Sequence, residues 1–209
     1  MIYAENILVC MIIPLLVSVL FTTGGARRFI FSSSMGMIVC LVSAYISGFL
    51  ELSLDLDPSE ISIYISPMIE EIMKTLPVLF CIFALDTDGK SLLIIAAGIG
   101  CGFATFENCC HLLITGAGSF SYVLIRGLAV GIMHIVCMLV LTLSLILAKR
   151  HKAFSFASLT GSLTLSMTYH GLYNLLVSQP GLSSYIGYGL PIATLVFLYF
   201  EYRKYRDRY

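Results

Sequence analysis

Seven apolar runs, each long enough to cross a bilayer, constrain this chain more than anything else in it. They cover approximately residues 6–24, 29–50, 66–85, 91–115, 119–148, 154–177 and 183–202. About 20 apolar residues span hydrocarbon as a helix, which pairs its own backbone polar groups where water cannot. The runs are continuous, whereas the strands of a membrane barrel alternate polar and apolar residues. Composition agrees: hydrophobic residues make up 58% of the 209 and charged residues 11%, against about 25% charged in a soluble domain. Such a chain cannot cover a water-soluble globule with polar surface. It reads as one integral membrane domain, residues 1–209, all-α, with about seven transmembrane helices. The formal net charge is zero, which leaves no basic footprint for nucleic acid. Seven cysteines sit inside apolar runs without a CxxC pair. They read as small buried hydrophobes, not as a disulfide framework or zinc ribbon. No Lys or Arg precedes the first run, so it reads as a first span, with a removed signal as the alternative.

The basic residues orient the spans. Arg27 and Arg28, then Lys90, then Lys149, Arg150 and Lys152, and finally Arg203, Lys204, Arg206 and Arg208 all follow odd-numbered runs. They fall on one side of a seven-span topology. The largest loop on the other side carries Glu51, Asp55, Asp57 and Glu60. The positive-inside rule then places the N-terminus outside and the C-terminus in the cytoplasm of a multi-pass cell-membrane protein. Before the third span, Asp57-Pro58-Ser59-Glu60 has the chemistry of a helix start, and Ser66-Pro67 offers a second one. The tyrosines and basic residues at 199–209 read as a membrane anchor with a solvated tail.

Against this background the stretch MIEEIMKTLPVLF, residues 68–80, is anomalous. It puts Glu70, Glu71 and Lys74 into hydrocarbon. Arg126, Glu107, His111, His134, His170 and Asn174 also lie inside spans. A charge at mid-bilayer costs about 2.5–3.5 kcal/mol on insertion scales, so these groups must face one another or a wet cavity. Their depths agree. With alternating span directions, Glu70, Glu71 and Lys74, Glu107 and His111, Arg126, and His170 and Asn174 all fall in the outer half, and His134 falls near the middle. Helical phase agrees too, because Glu70 and Lys74, Glu107 and His111, and His170 and Asn174 are each four residues apart and share a face. Ser162, Ser166, His170 and Asn174 form one stripe. Gly98, Gly100 and Gly102 in the fourth span, and Gly127 and Gly131 in the fifth, are expected to let the helices approach closely. The expectation is a four-helix core, approximately residues 66–177, around a polar, water-accessible intramembrane cavity.

This set is equipment for hydrolysis by an activated water. Two adjacent carboxylates resist double ionisation, and Lys74 can hold one of them charged. Glu70 or Glu71 can then serve as general base, with His170 as acid or oxyanion stabiliser. Asn174 or a histidine can donate to an oxyanion. Glu and His are also zinc ligands, so a metal is possible, although no HExxH occurs and the chemistry requires none. Arg126 and Lys74 read as charge partners, His111 as lining the cavity mouth, and Tyr169 and Tyr173 as packing or belt residues. A proton-coupled transporter could use the same groups as a relay, but no inverted repeat is apparent. A non-catalytic scaffold that has kept the pocket is the other alternative.

Four of these motifs together resemble the PrsW family of intramembrane proteases, which is related to the prenyl-protease and bacteriocin-processing superfamily. Glu70-Glu71-x-x-Lys74 resembles its EExxK motif. GFATFEN, residues 102–108, resembles the second motif, centred on Phe106-Glu107. Arg126 followed by His134 resembles the third, and His170-x-x-x-Asn174 the fourth. One position departs: His111 stands where the family commonly has Tyr. The resemblance implies an endopeptidase that makes the first, extracytoplasmic-side cut in a single-span membrane protein, an anti-sigma factor, to release a stress-response sigma factor. It implies Glu70, Glu71 and His170 as essential residues, with Glu107, His134 and Asn174 in support.

Overall fold

The computed structural model describes residues 3–116, 118–153 and 155–206; Arg208, at the end of the basic tail, lies outside them. The helices are α1 (Ala4–Val19), α2 (Gly24–Leu54), α3 (Pro58–Glu60), a π-helical segment (Ile61–Ile65), α4 (Ser66–Phe83), α5 (Gly89–Thr115), α6 (Phe120–Arg150), α7 (Phe156–Ser178) and α8 (Leu182–Arg206). Among the described residues no strand occurs, as the continuous runs predict.

Four helices are long and apolar enough to cross a membrane on length and composition alone: α2, α5, α6 and the Leu182–Glu201 part of α8. The other three long helices lie at the expected runs but fall short for identifiable reasons. Helix α1 has only 16 residues. Helix α4 carries Glu70, Glu71 and Lys74 within 18 residues. Helix α7 is diluted by hydroxyl side chains from Ser158 to Thr168.

Local chemistry sets the boundaries. Asp57 caps α3 by accepting from the Ser59 amide at 2.8 Å, with Pro58 in the first turn. Asp88 starts α5 by accepting from the Ser91 amide at 3.0 Å. Ser155 and Ser158 form a reciprocal capping box at the start of α7. The helix that begins at Pro58 continues through the π segment into α4, so Ser66-Pro67 is not a fresh start as expected. Glu70 and Glu71 thus stand well inside a continuous helix and not at an interfacial turn.

Helix α5 packs lengthwise against α2 and α6, α6 against α7, α7 against α4, and α4 back against α2. These five helices close a ring; α1 lies outside α2, and α8 lies against α6 and α7. The expected four-helix core therefore acquires α2 as a fifth wall. Glycine decides this. A Cβ on Gly102 would run into the backbone of Ser33, and one on Gly36 into the Ile99 carbonyl and the Phe103 amide. On the other side of α5, a Cβ on Gly100 would lie 2.8 Å from Ile135 Cα and 2.9 Å from the His134 carbonyl oxygen. By contrast, a Cβ on Gly127 or Gly131 would meet nothing within 4 Å. Those two glycines do not mediate the close approach expected of them.

One end of the ring gathers the basic loops. Arg28 donates to Ser91 Oγ at 2.6 Å, Ser91 donates to Asp88 at 2.6 Å, and Lys149 pairs with Asp86 at 2.7 Å. The Lys149 hydrogen bond holds Asp86 below the usual carboxylate range, and the Ser91 contacts do the same for Asp88. Next to this end lies an apolar core of Val78, Leu92, Ala96, Ile99, Met138, Leu141 and Leu145. The polar residues lie on the far side of that core, and large apolar side chains such as Phe49, Phe80 and Phe197 face outward.

Candidate active site

Helix α4 supplies the centre of the polar layer. Lys74 lies one turn after Glu71 and pairs with its Oε1 at 2.5 Å, both side chains being 0% exposed. An ion pair so deep is tolerable only if each remaining donor and acceptor finds a partner. The surrounding helices supply them. Ser166 of α7 donates to Glu71 Oε2 at 2.7 Å, and His170 Nδ1, one turn later, meets Glu71 Oε1 at 2.9 Å. Lys74 Nζ reaches His134 Nδ1 of α6 at 3.0 Å and lies 4.5 Å from the centre of the Phe103 ring of α5. His134 Nε2 meets Glu107 Oε2 at 2.5 Å. Arg126 completes the chain with a 3.2 Å contact to Glu107 Oε1.

Proton positions follow from what each group can do. An ammonium only donates, so His134 accepts at Nδ1 and donates from Nε2 to Glu107. The carboxylate of Glu71 only accepts, so His170 donates from Nδ1 and keeps a lone pair on Nε2. That lone pair faces Glu70 Oε2 at 3.8 Å. Glu70 Oε2 is itself buried and has no hydrogen-bond partner. Two acceptors facing each other without a donor need a proton or a cation between them.

A metal fits this gap. Glu70, His134 and His170 each offer one ligand atom, and the three atoms lie within 4.8 Å of one another. The Glu71 contact to His170 Nδ1 is the outer-sphere carboxylate that commonly orients a ligating histidine. His134 can join the set at Nδ1 if Lys74 gives up its contact there.

The sequence-derived candidates separate into three groups. Glu70, Glu71, Lys74, Glu107, Arg126, His134 and His170 come together in one network, although Lys74 pairs with Glu71 and not with Glu70, the residue four before it. Asn174 does not enter it: its side-chain amide donates to the Ser62 carbonyl at 3.0 Å, within the π segment. His111 contacts the Tyr122 hydroxyl at 2.7 Å, one link further out. The network is packed at its centre, with His134 and His170 at 1% and 2% exposure. Its margin is less covered: the Glu70 and Glu107 side chains are 17% and 32% exposed.

Two further side chains join the network: Ser166, signalled by the period-four stripe of α7, and Phe103, which carries no signal of its own, since any apolar residue can occupy such a place.

The family model described as PrsW family intramembrane metalloprotease matches residues 25–200, from the start of α2 into α8. No curated protein and no solved structure matches the chain significantly.

Proposed function

The chain belongs to the PrsW family of intramembrane proteases, and from that premise we propose that it cuts a single-span membrane protein in the outer half of the bilayer, with Glu70 as the base that activates water. The observation that carries this reading is the asymmetry of the two adjacent glutamates. Glu71 is saturated by Lys74, Ser166 and His170, whereas Glu70 presents a buried oxygen with no partner at the accessible margin.

The roles follow from those contacts. Glu71 orients His170 and anchors Lys74, and Ser166 fixes its second oxygen. Glu107, held by Arg126, orients His134. Glu70 Oε2 takes a proton from water as the water oxygen bonds to the scissile carbonyl carbon, then delivers it to the departing amine as the C–N bond breaks. His170 can donate through Nε2 only as an imidazolium, so its neutral ring contributes a lone pair and not an oxyanion donor. With a divalent ion such as zinc bound, Glu70, His134 and His170 would hold it, and Glu70 would then act as ligand while the ion polarised the carbonyl and acidified water.

The substrate side follows from the charges. The basic loops face the cytoplasm by the positive-inside rule, which turns the polar layer and the acidic loop before α3 toward the outside. A membrane-anchored anti-sigma factor, cut there to begin release of its sigma factor, is the substrate that fits family and orientation together.

The test is cleavage in liposomes of a single-span anti-sigma factor by the purified protein, beside Glu70→Gln and Glu71→Gln. Cleavage in the outer half by the wild type, lost in Glu70→Gln at unchanged folding, supports the reading. Full activity of Glu70→Gln removes the base, and ion flux without cleavage replaces the peptidase with a carrier. Metal analysis of protein purified without chelator, with activity measured in strong chelator, decides whether an ion takes part.

A further inference from the structure

A cut in the outer half of the bilayer leaves the inner half of a single-span substrate to be held, and the chain offers a place for it. A groove of about 960 Å³ runs between α2, from Arg28 to Val39, and α4, from Met73 to Phe80, with Ile95 and Ile99 of α5 as its floor. Arg28 and Val39 are 11 residues apart, or about 16 Å at 1.5 Å per residue. That is close to half of a hydrocarbon core about 30 Å thick. The groove starts at the basic loops and stays within one leaflet.

Its position, its openness and its charge say what fits. Glu70, Met73 and Pro77 stand at i, i+3 and i+7 on α4, which is one face of a helix. Met73 and Pro77 line the groove, so its upper end lies one turn below Glu70. A helix seated there is gripped along its lower half and released where it passes Glu70. Cleavage needs both, because an intact helix ties up its peptide groups in its own hydrogen bonds, while the chain to be cut must be positioned. Phe31, Leu76 and Phe80 on the walls are at least half exposed, so a span can enter sideways from lipid. At the loop end the lining includes Arg28, Asp86 and Asp88, two acids to one base, and Arg28 already donates to Ser91 Oγ at 2.6 Å. An anionic lipid headgroup would face both carboxylates. The cytoplasmic flank of a single-span protein is rich in Lys and Arg, and the two carboxylates complement it. Asp86 meets Lys149 only in an exposed pair, which gives way readily to another cation.

We propose that the groove between α2 and α4 is the docking surface for the transmembrane helix of the substrate. It seats the inner half of that helix, Asp86 and Asp88 meet its basic flank, and the outer half is delivered to Glu70. This role rests on the peptidase reading for the orientation of the ring and the side of the cut. It adds a ruler to that reading. The groove and the turn above it span about 14 helical residues, or about 21 Å, so the basic flank fixes how far along the substrate the cut falls.

The test uses full-length protein in phosphatidylcholine liposomes and a single-span peptide with a Leu/Ala span of about 20 residues and two lysines at its inner end. In Glu70→Gln protein, which binds the peptide without cutting it, a benzophenone side chain placed at Leu76 or at Phe80 is expected to capture the lysine-flanked half of the peptide. The same group at Phe197, which faces outward on α8, is expected to capture lipid alone. When four residues are inserted beside the lysines, the cut made by wild-type protein is expected to stay at the same distance from the lysines and so to shift by four residues in the peptide, read by mass spectrometry. Asp86→Asn is expected to raise KM for the lysine-flanked peptide by about two- to fivefold, the worth of one exposed charge pair, and to leave KM unchanged for a serine-flanked one. Capture of phospholipid or of a second copy of the chain, but not of the peptide, from Leu76 and Phe80 overturns the proposal. So does a cut that keeps its place in the peptide wherever the lysines stand. In either case cleavage by the wild type leaves the peptidase reading standing. If the peptide is captured from both positions but never cleaved, the docking surface stands and the peptidase reading falls.

Discussion

The two ends of the helix ring both carry ion pairs, and water treats them differently. At the basic end, Lys149 meets Asp86 at 2.7 Å with side chains 48% and 89% exposed. In the polar layer, Lys74 meets Glu71 at 2.5 Å with both side chains fully covered. Water already solvates each member of the first pair, so their contact adds little. No water reaches the second pair, so the protein must supply every remaining partner, and it recruits Ser166, His170, His134 and Phe103 from three other helices. The exposed pair is local decoration of a loop. The buried pair ties the ring together, and it leaves one neighbour, Glu70, unsatisfied and available for chemistry.

Breaking the buried network at its free member gives the largest effect on function. Glu70→Gln is expected to lower cleavage by about 100- to 10,000-fold, the span of general-base contributions, with no loss of thermal stability, because Oε2 has no partner to lose. Parallel melting and turnover measurements check both halves. Breaking it at a saturated member should instead cost the fold. Lys74→Met strands the Glu71 carboxylate and is expected to destabilise by about 3–5 kcal/mol, read from denaturation in detergent. The double variant Glu71→Gln/Lys74→Met should recover part of that loss, as coupled neighbours do.

The walls of the ring sharpen the same contrast at a smaller scale. Gly102→Ala places a methyl group against the Ser33 backbone and is expected to cost about 1–3 kcal/mol through overpacking. Gly127→Ala meets open space and is expected to be neutral or stabilising by up to about 1 kcal/mol, the helix-propensity difference between the two residues. Equal effects of the two substitutions would break the ring assignment. The smallest effect belongs to the exposed pair. The folded value of Asp86 is depressed by Lys149, so any contribution is present above the ordinary value of 3.8 and disappears as pH falls through the folded value. Neither acidification from pH 6 to 3 in a Lys149→Met comparison nor the substitution itself is expected to shift the melting temperature measurably. A clear shift would mean that this end is not solvated as its exposure indicates.

Much of the site was legible because it is written along single helices. The spacings of Glu71 from Lys74 and of Ser166 from His170 put those groups on shared faces, and each pair meets at Glu71. One contact had a different origin. Asn174 shares a face with His170, yet the π segment brings the Ser62 carbonyl within its reach, and a single helix cannot announce that. Tyr173 packs in an apolar cluster with Ala129, Val130 and Met133, as its reading as a packing residue expects.

The amino-acid sequence by itself determined that this chain is helical, that it belongs in a membrane, and that its ionisable residues must meet one another. Those conclusions rest on hydropathy and periodicity, which are properties of one segment at a time. Only the tertiary structure decided that α2 closes the ring, and that Glu71 is the saturated glutamate and Glu70 the one with a free oxygen. These depend on how closely two backbones approach, which is set where Gly36 and Gly102 meet the atoms of a neighbouring helix. No pattern within either helix contains the position of the other.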